Sequence, residues 1–267
     1  MRSAPSIDWQ QPWYASIKEA AALIIQQPDW LAALNQQSAA LQLHNHRDQP
    51  LTFVEQSALP ADKAYEAFIS ETGCVPTRDN LHDFLNALVW LSFPNIKRQL
   101  NALQATQIAQ AGIGKSRGAA RDAATIFDEN SALLVIRDST EARALAAELA
   151  NHQWRSVFLE QRESFCKHIE PWLFGHALME KLVNPYKAIT AHAWPVIAPD
   201  EFFAMTHAAK REWLDEQVAQ DLQQKGREGL STACFTPLQV LGIPAWHSQQ
   251  DESFYADTKV FRPKPSR

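Results

Sequence analysis

The chain has only three cysteines among its 267 residues, Cys74, Cys166 and Cys234, far apart and in no CxxC pair. An odd count at such spacing excludes both a disulfide framework and a cysteine-rich zinc site, and it reads as the reduced thiols of a cytosolic protein. Glycine is scarce too, at eight, so left-handed turn formers are few, while Ala, Leu and Gln recur in long helix-favouring stretches. The N-terminal MRSAPSIDWQQPWY has no apolar run before its first acid, and the nearby Ala20 to Ile25 stretch is too short for a signal core or a membrane span. Nor is there an excess of one charge: 25 basic residues against 30 acidic give a net −5, which offers no overall field for a polyanion or an anionic membrane. The expectation is a cytoplasmic protein with neither nucleic acid nor membrane as partner. No feature sets an oligomeric state.

What is present is an ordinary globular balance, 46% apolar and 21% charged. Helical patterning runs over 12–27, 29–41, 60–71, 78–92, 95–111, 117–126, 140–150, 152–165, 171–183 and 199–225, with prolines near the predicted ends. Strand-like runs are fewer, at 51–54, 132–137 and 188–194. The expected fold is mainly α (α+β): one domain over 1–267, a large helical body with a small sheet. Its C-terminal arm, 230–267, is laid across the body through Trp246, Phe254, Tyr255 and Phe261. No internal repeat suggests a solenoid.

The segment CVPTRDNLHDFLNALVWLSFPNIKRQLN carries the most information. Leu81, Phe84, Leu85, Leu88 and Leu91 form an apolar stripe, while Asp79, His82, Asp83, Asn86 and Trp90 recur at helical spacing on another face. An acid, an imidazole, a second acid and an amide on one ridge suit a cation or a substrate, or else form a solvated face. Thr77 is the expected N-cap, with Asp79 and Asn80 in the first turn. In PWLFGHALMEKLVNP, Pro171 is expected to open a helix on which His176 and Glu180, four apart, share a face. That pair can ligate one divalent ion, act as base and orienter, or simply hydrogen-bond, and His192 follows within reach. In RGAARDAATIFDENSALLVIRD, Asp128, Glu129 and Asn130 stand where a helix runs into a strand, as ligands or as turn formers. Arg117 and Arg121 precede them as an anion grip or as partners for Asp122 and Asp128.

Other apparent motifs lack the required spacing. AGIGKSRG has Ala109 where a phosphate loop needs glycine, and a helix is predicted where a strand should precede it. His44, Asn45 and His46 are adjacent letters in a short polar turn, without a metal site's geometry. No GxSxG, HExxH or GxGxxG occurs.

Taken together, TGCVPTRDNLHDFLNALVWLSFPNIKRQLN, RGAARDAATIFDENSALLV, FGHALMEKLVNP and PLQVLGIPAWHSQQDESFYADTKVFRP resemble a proteobacterial family, domain of unknown function 3025, over roughly residues 70 to 265. The resemblance implies a bacterial protein and brings no reaction, cofactor or fold. Its motif positions coincide with Arg78, Asp79, Asn80, His82, Asp83, Asn86, Arg121, Asp128, Glu129, Asn130, His176 and Glu180. Ser131 stands where the family often has glycine.

Three readings follow. In the first, His82, Asp128 and His176 hold a divalent metal ion and water is the nucleophile. Asp83, Glu129 and Glu180 supply the catalytic carboxylates, and a phosphoester or an amide is hydrolysed. In the second, Arg78, Asn80, Asn86, Trp90, Arg121 and Asn130, substrate-binding groups in the first, hold a small anionic ligand or a protein partner without chemistry. In the third, the polar groups only cap helices and bond inside the domain.

Overall fold

Ser131–Arg137 (β3) is buried along all but its last residue, the burial of a central strand covered on both faces. It pairs in parallel with Thr190–Ala198 (β5) and antiparallel with Ile169–Leu173 (β4). Thr236–Gln239 (β6) adds antiparallel to β5, giving the order β4-β3-β5-β6, and a separate parallel pair joins Thr52–Glu55 (β1) to Cys74–Thr77 (β2). The computed structural model describes residues 7–111 and 118–265.

Helices surround this sheet: α1 (Lys18–Ile24), α2 (Trp30–Ala40), α3 (Tyr65–Thr72), α4 (Leu81–Ser92), α5 (Pro94–Ala111) and α6 (Ala119–Asn130) before β3. After it come α7 (Thr140–Ala150), α8 (Arg162–His168), α9 (His176–Lys181), α10 (Asp200–Ala204), α11 (His207–Glu228) and α12 (Glu252–Tyr255). The mainly α, α+β expectation holds. Aromatic rings fasten α6 to the sheet: Phe127 meets Phe174 and Trp194 at 5.2 Å between centroids, and Phe235 at 6.0 Å. Among the described residues no helix is long and apolar enough to cross a membrane.

Pro94 opens α5 and has no N–H of its own. The next two donors, Asn95 N–H and Ile96 N–H, go to the two oxygens of Asp215 on α11, at 3.0 and 2.9 Å. Burial pushes the Asp215 carboxyl up to about 7, against the lowering effect of those two bonds. A folded-state value above the ordinary carboxylate range means that Asp215's stabilisation is fully present below that range and is lost as pH rises towards 7. Asp215→Ala is expected to cost about 1–3 kcal/mol through two unpaired helix donors. In chemical denaturation, the stability difference between the wild type and Asp215→Asn should shrink from pH 4.5 to 7.5; a growing difference would contradict this assignment.

Several sequence expectations are corrected. Pro171 opens no helix; it lies in β4 opposite Leu134, and α9 begins only at His176. β4 is an edge strand with a partner on one side, where a residue lacking an N–H is tolerated. The 152–165 pattern is a π-helical turn at Ser156–Glu160 followed by α8, and the 199–225 pattern breaks between α10 and α11, where Thr206 caps the second helix. The 12–27 pattern resolves into a 3-10 turn at Pro12–Tyr14 and α1. Asn80, not Thr77, caps α4, its Oδ1 accepting from Asp83 N–H at 2.8 Å, while Thr77 ends β2. The C-terminal segment, read as irregular, contributes β6 to the main sheet; beyond it Phe254, Tyr255 and Phe261 are buried, Trp246 is partly so, and Tyr255 donates to the Gly242 carbonyl at 2.8 Å.

Candidate metal centre

Capping by Asn80 places His82 in the first turn of α4, partly exposed at the rim of a cleft. Its two ring nitrogens meet two residues of α9. Nδ1 lies 2.8 Å from Glu180 Oε2, and Nε2 lies 3.2 Å from His176 Nε2, with the rings edge to face at 73°. His176 and Glu180, four apart on α9, thus grip one imidazole from opposite sides. Glu129 completes the group from the last turn of α6, its Oε2 3.7 Å from His176 Nε2. The ligand atoms of His82, Glu129 and His176 all lie within 4.8 Å of one another.

Gly175 makes this meeting possible. It caps α9 directly against the α6–β3 junction, and a Cβ there would stand 2.5 Å from both Asn130 N and Ser131 N. Gly175 N–H and Phe174 N–H donate to the Ser131 carbonyl at 2.9 and 3.2 Å. The turn before His176 is thereby tied to the residues just after Glu129, and only a glycine allows backbones to approach so closely.

The electrostatics suit a cation ligand set. Burial pushes the His176 imidazole down to about 3, over the opposing pull of Asp128, so it is neutral with a lone pair to offer. Its Nδ1 makes no hydrogen bond of good geometry, although the Asp128 main-chain carbonyl faces the ring. Burial and the neighbouring Asp128 raise the Glu129 carboxyl. Two imidazoles facing through Nε2 satisfy only one hydrogen bond between them. Around a tetrahedral ion with bonds of about 2.0–2.1 Å, two ligand nitrogens stand roughly 3.3 Å apart, close to the separation here.

The other residues singled out in the sequence divide. Asp128, expected as a ligand, lines the cleft but is engaged by Lys97, whose Nζ donates to Asp128 Oδ1 at 2.5 Å and to Asn86 Oδ1 at 2.8 Å, both buried. Burial works to raise the Asp128 carboxyl, but Lys97, by its charge and its hydrogen bond, outweighs it and holds it low. Asp83 is occupied by Arg78, accepting from its main-chain N–H at 2.6 Å and from its guanidinium at 3.0 and 2.9 Å, an arrangement that leaves Asp83 unsuited to act as a base. Asn86 also donates to Tyr65 Oη at 3.2 Å. Trp90 is core, 2% exposed. Asn130 donates to the Thr190 carbonyl and to His192 Nδ1, at 3.1 and 3.0 Å, which holds α6 to β5 and occupies His192. Asn45 is fully buried and donates to the Ile69 and Ser70 carbonyls, a packing role. Arg117 and most of AGIGKSRG lie outside the described residues.

Sequence reasoning missed Lys97, Tyr65 and Glu66. Lys97 looks like a surface residue, yet Lys97, Asn101, Gln104 and Ile108 recur at four, three and four along α5 and are all buried, a stripe that could have been noticed. Nothing in KAYEAF marks Glu66, whose carboxyl accepts from Asn101 Nδ2 at 2.7 Å and is raised by burial and Asp128. The cleft of about 310 Å³ is walled by Tyr65, Glu66, Arg78, His82, Glu129 and His176, a size suited to a small ligand. A second lobe of about 310 Å³ shares Tyr65, Glu66, Asp128 and Glu129 with it and reaches Gln104, Arg121 and Thr125. A groove of about 290 Å³ between α5 and α11 offers only amides, Arg98 and Glu216, and no set of converging ligands.

Residues 51–265 match the family described as protein of unknown function (DUF3025). No curated protein and no solved structure matches the chain.

Proposed function

Because the chain belongs to the DUF3025 family, whose description names no activity, we propose from the site alone that it is a metal-dependent hydrolase of a phosphoester or an amide. The observation that carries the reading is the facing pair of Nε2 atoms, 3.2 Å apart, with Glu129 beside them. Two imidazoles and one carboxylate are three protein ligands, the number that leaves a coordination position open for water or substrate. A divalent ion held by His82, Glu129 and His176 would polarise a carbonyl or phosphoryl oxygen and would make a coordinated water acidic.

The chain's own groups divide the remaining work. Glu180 accepts a hydrogen bond from His82 Nδ1–H, fixing the tautomer that offers Nε2 to the ion, so it acts as a positioning residue. Glu129 moves from the expected base to a ligand. Glu66, on the cleft wall with a raised carboxyl, is the acid best suited to carry the proton from water to the leaving group.

Dialysis against Zn²⁺, Co²⁺ or Mn²⁺ followed by elemental analysis should leave about one ion per chain, lost in His82→Ala and His176→Ala with the fold retained. Glu180→Gln should weaken binding by roughly 10- to 100-fold. Hydrolysis of bis(4-nitrophenyl) phosphate or 4-nitrophenyl acetate should depend on the ion and be lost in Glu66→Gln with metal content unchanged. Full activity after removal of the metal by a chelator would refute the hydrolase reading, and metal binding without turnover would favour the binding-module reading of the same cleft.

A further inference from the structure

The second lobe of the cleft contains a cation that the metal chemistry does not use. Arg121, Thr125, Asp128 and Glu129 follow one another on α6 at four, three and one residues, and all four line this lobe, so one face of the helix runs from the metal ligand to the guanidinium. Eight residues of helix place the Arg121 Cα about 12 Å along the axis from that of Glu129. Arg78 is locked to Asp83 and Lys97 to Asp128. Among the described residues, by contrast, the Arg121 guanidinium has no carboxylate in ion-pair contact and donates no side-chain hydrogen bond. The acids near it do not bar an anion. Asp128 is neutralised by Lys97, Glu129 faces His176, and Glu66, which feels the Arg121 charge without forming an ion pair with it, accepts from Asn101 Nδ2.

From this placement we infer that Arg121 anchors an oxyanion, phosphate or carboxylate, carried by the substrate at the end remote from the bond cut at the His82, Glu129 and His176 centre. The inference rests on the hydrolase reading and narrows it to an ester or amide with an anionic terminus. A planar guanidinium recognises either oxyanion through two parallel N–H bonds, which a lysine cannot reproduce.

The test titrates inorganic phosphate, and separately succinate, into the cobalt-loaded protein by calorimetry while the visible cobalt spectrum is followed. Binding should leave the spectrum unchanged, because the anion sits away from the ion. Arg121→Gln should weaken it by about tenfold or more, with Arg121→Lys in between. The tighter of the two probes identifies the source as phosphate or carboxylate. Equal affinity in the wild type and Arg121→Gln would overturn the inference, as would no binding, or binding seen only as a change in the cobalt spectrum. Failure of cobalt to bind would contradict the metal reading alone; the same titration of the metal-free wild type and Arg121→Gln then decides the anchor by the same tenfold criterion. Matching thermal melts of the variants exclude misfolding as the cause.

Discussion

Replacing Lys97 by methionine is expected to destabilise the protein by about 3–5 kcal/mol at pH 7, the cost of leaving a buried charge without its partner. The Lys97 side chain is 5% exposed and that of Asp128 11%, at a separation of 2.5 Å. Without the ammonium, Asp128 keeps a charge in a site where burial opposes it, and Asn86 Oδ1 loses its donor. The variant's Asp128 carboxyl should then rise above the ordinary range, so the lost stability returns as pH falls and the group takes up a proton. Urea denaturation at pH 7 and pH 4.5 measures both effects. The double variant Lys97→Met with Asp128→Leu removes both charges and should recover most of the loss. A single-variant cost below about 1 kcal/mol would place the pair with weak surface bridges.

The second large effect is expected from Gly175→Ala. The new methyl would meet two backbone nitrogens at 2.5 Å, and backbone, unlike the end of a flexible side chain, cannot swing aside. The loss of stability should be about 1–3 kcal/mol, as for overpacking in a dense interior. The effect on the site should exceed the effect on the fold, because α9 must move off the α6–β3 junction and carry His176 and Glu180 away from Glu129 and His82. A fall in metal affinity of roughly tenfold or more at a temperature where the variant is still folded distinguishes this from simple destabilisation. Unchanged affinity would mean that α9 is positioned by other contacts.

Much of the fold was legible because local patterns were strong. The α4 stripe, α5 after Pro94, α7 behind its Ser139 cap and the apolar β3 run all declare themselves in the residues. β2, β4 and β6 were missed because each is four or five residues long and contains a proline, a residue that reads as a turn or a helix start until the strand is seen to lie at a sheet edge. The candidate site was legible as segments. His82 on α4, Glu129 at the end of α6 and His176 with Glu180 on α9 each showed polar groups in helical phase. What spacing could not decide was which of the neighbours Asp128 and Glu129 faces the histidines. That choice depends on Lys97, which arrives from α5 and captures Asp128. It also depends on Gly175, whose importance comes from a close approach between segments some 45 residues apart, Asn130 to Gly175. Such long-range backbone contacts follow from sheet topology and leave no periodic mark in the sequence.

Anomalous scattering from a zinc-soaked crystal tests most directly whether His82, His176 and Glu129 form one metal centre. A single strong peak is expected at about 2.0–2.2 Å from His82 Nε2, His176 Nε2 and a Glu129 oxygen. Glu180 should remain on His82 Nδ1, and Asp128 on Lys97. No peak at that position, or zinc bound elsewhere with neither imidazole as a ligand, would contradict this metal centre.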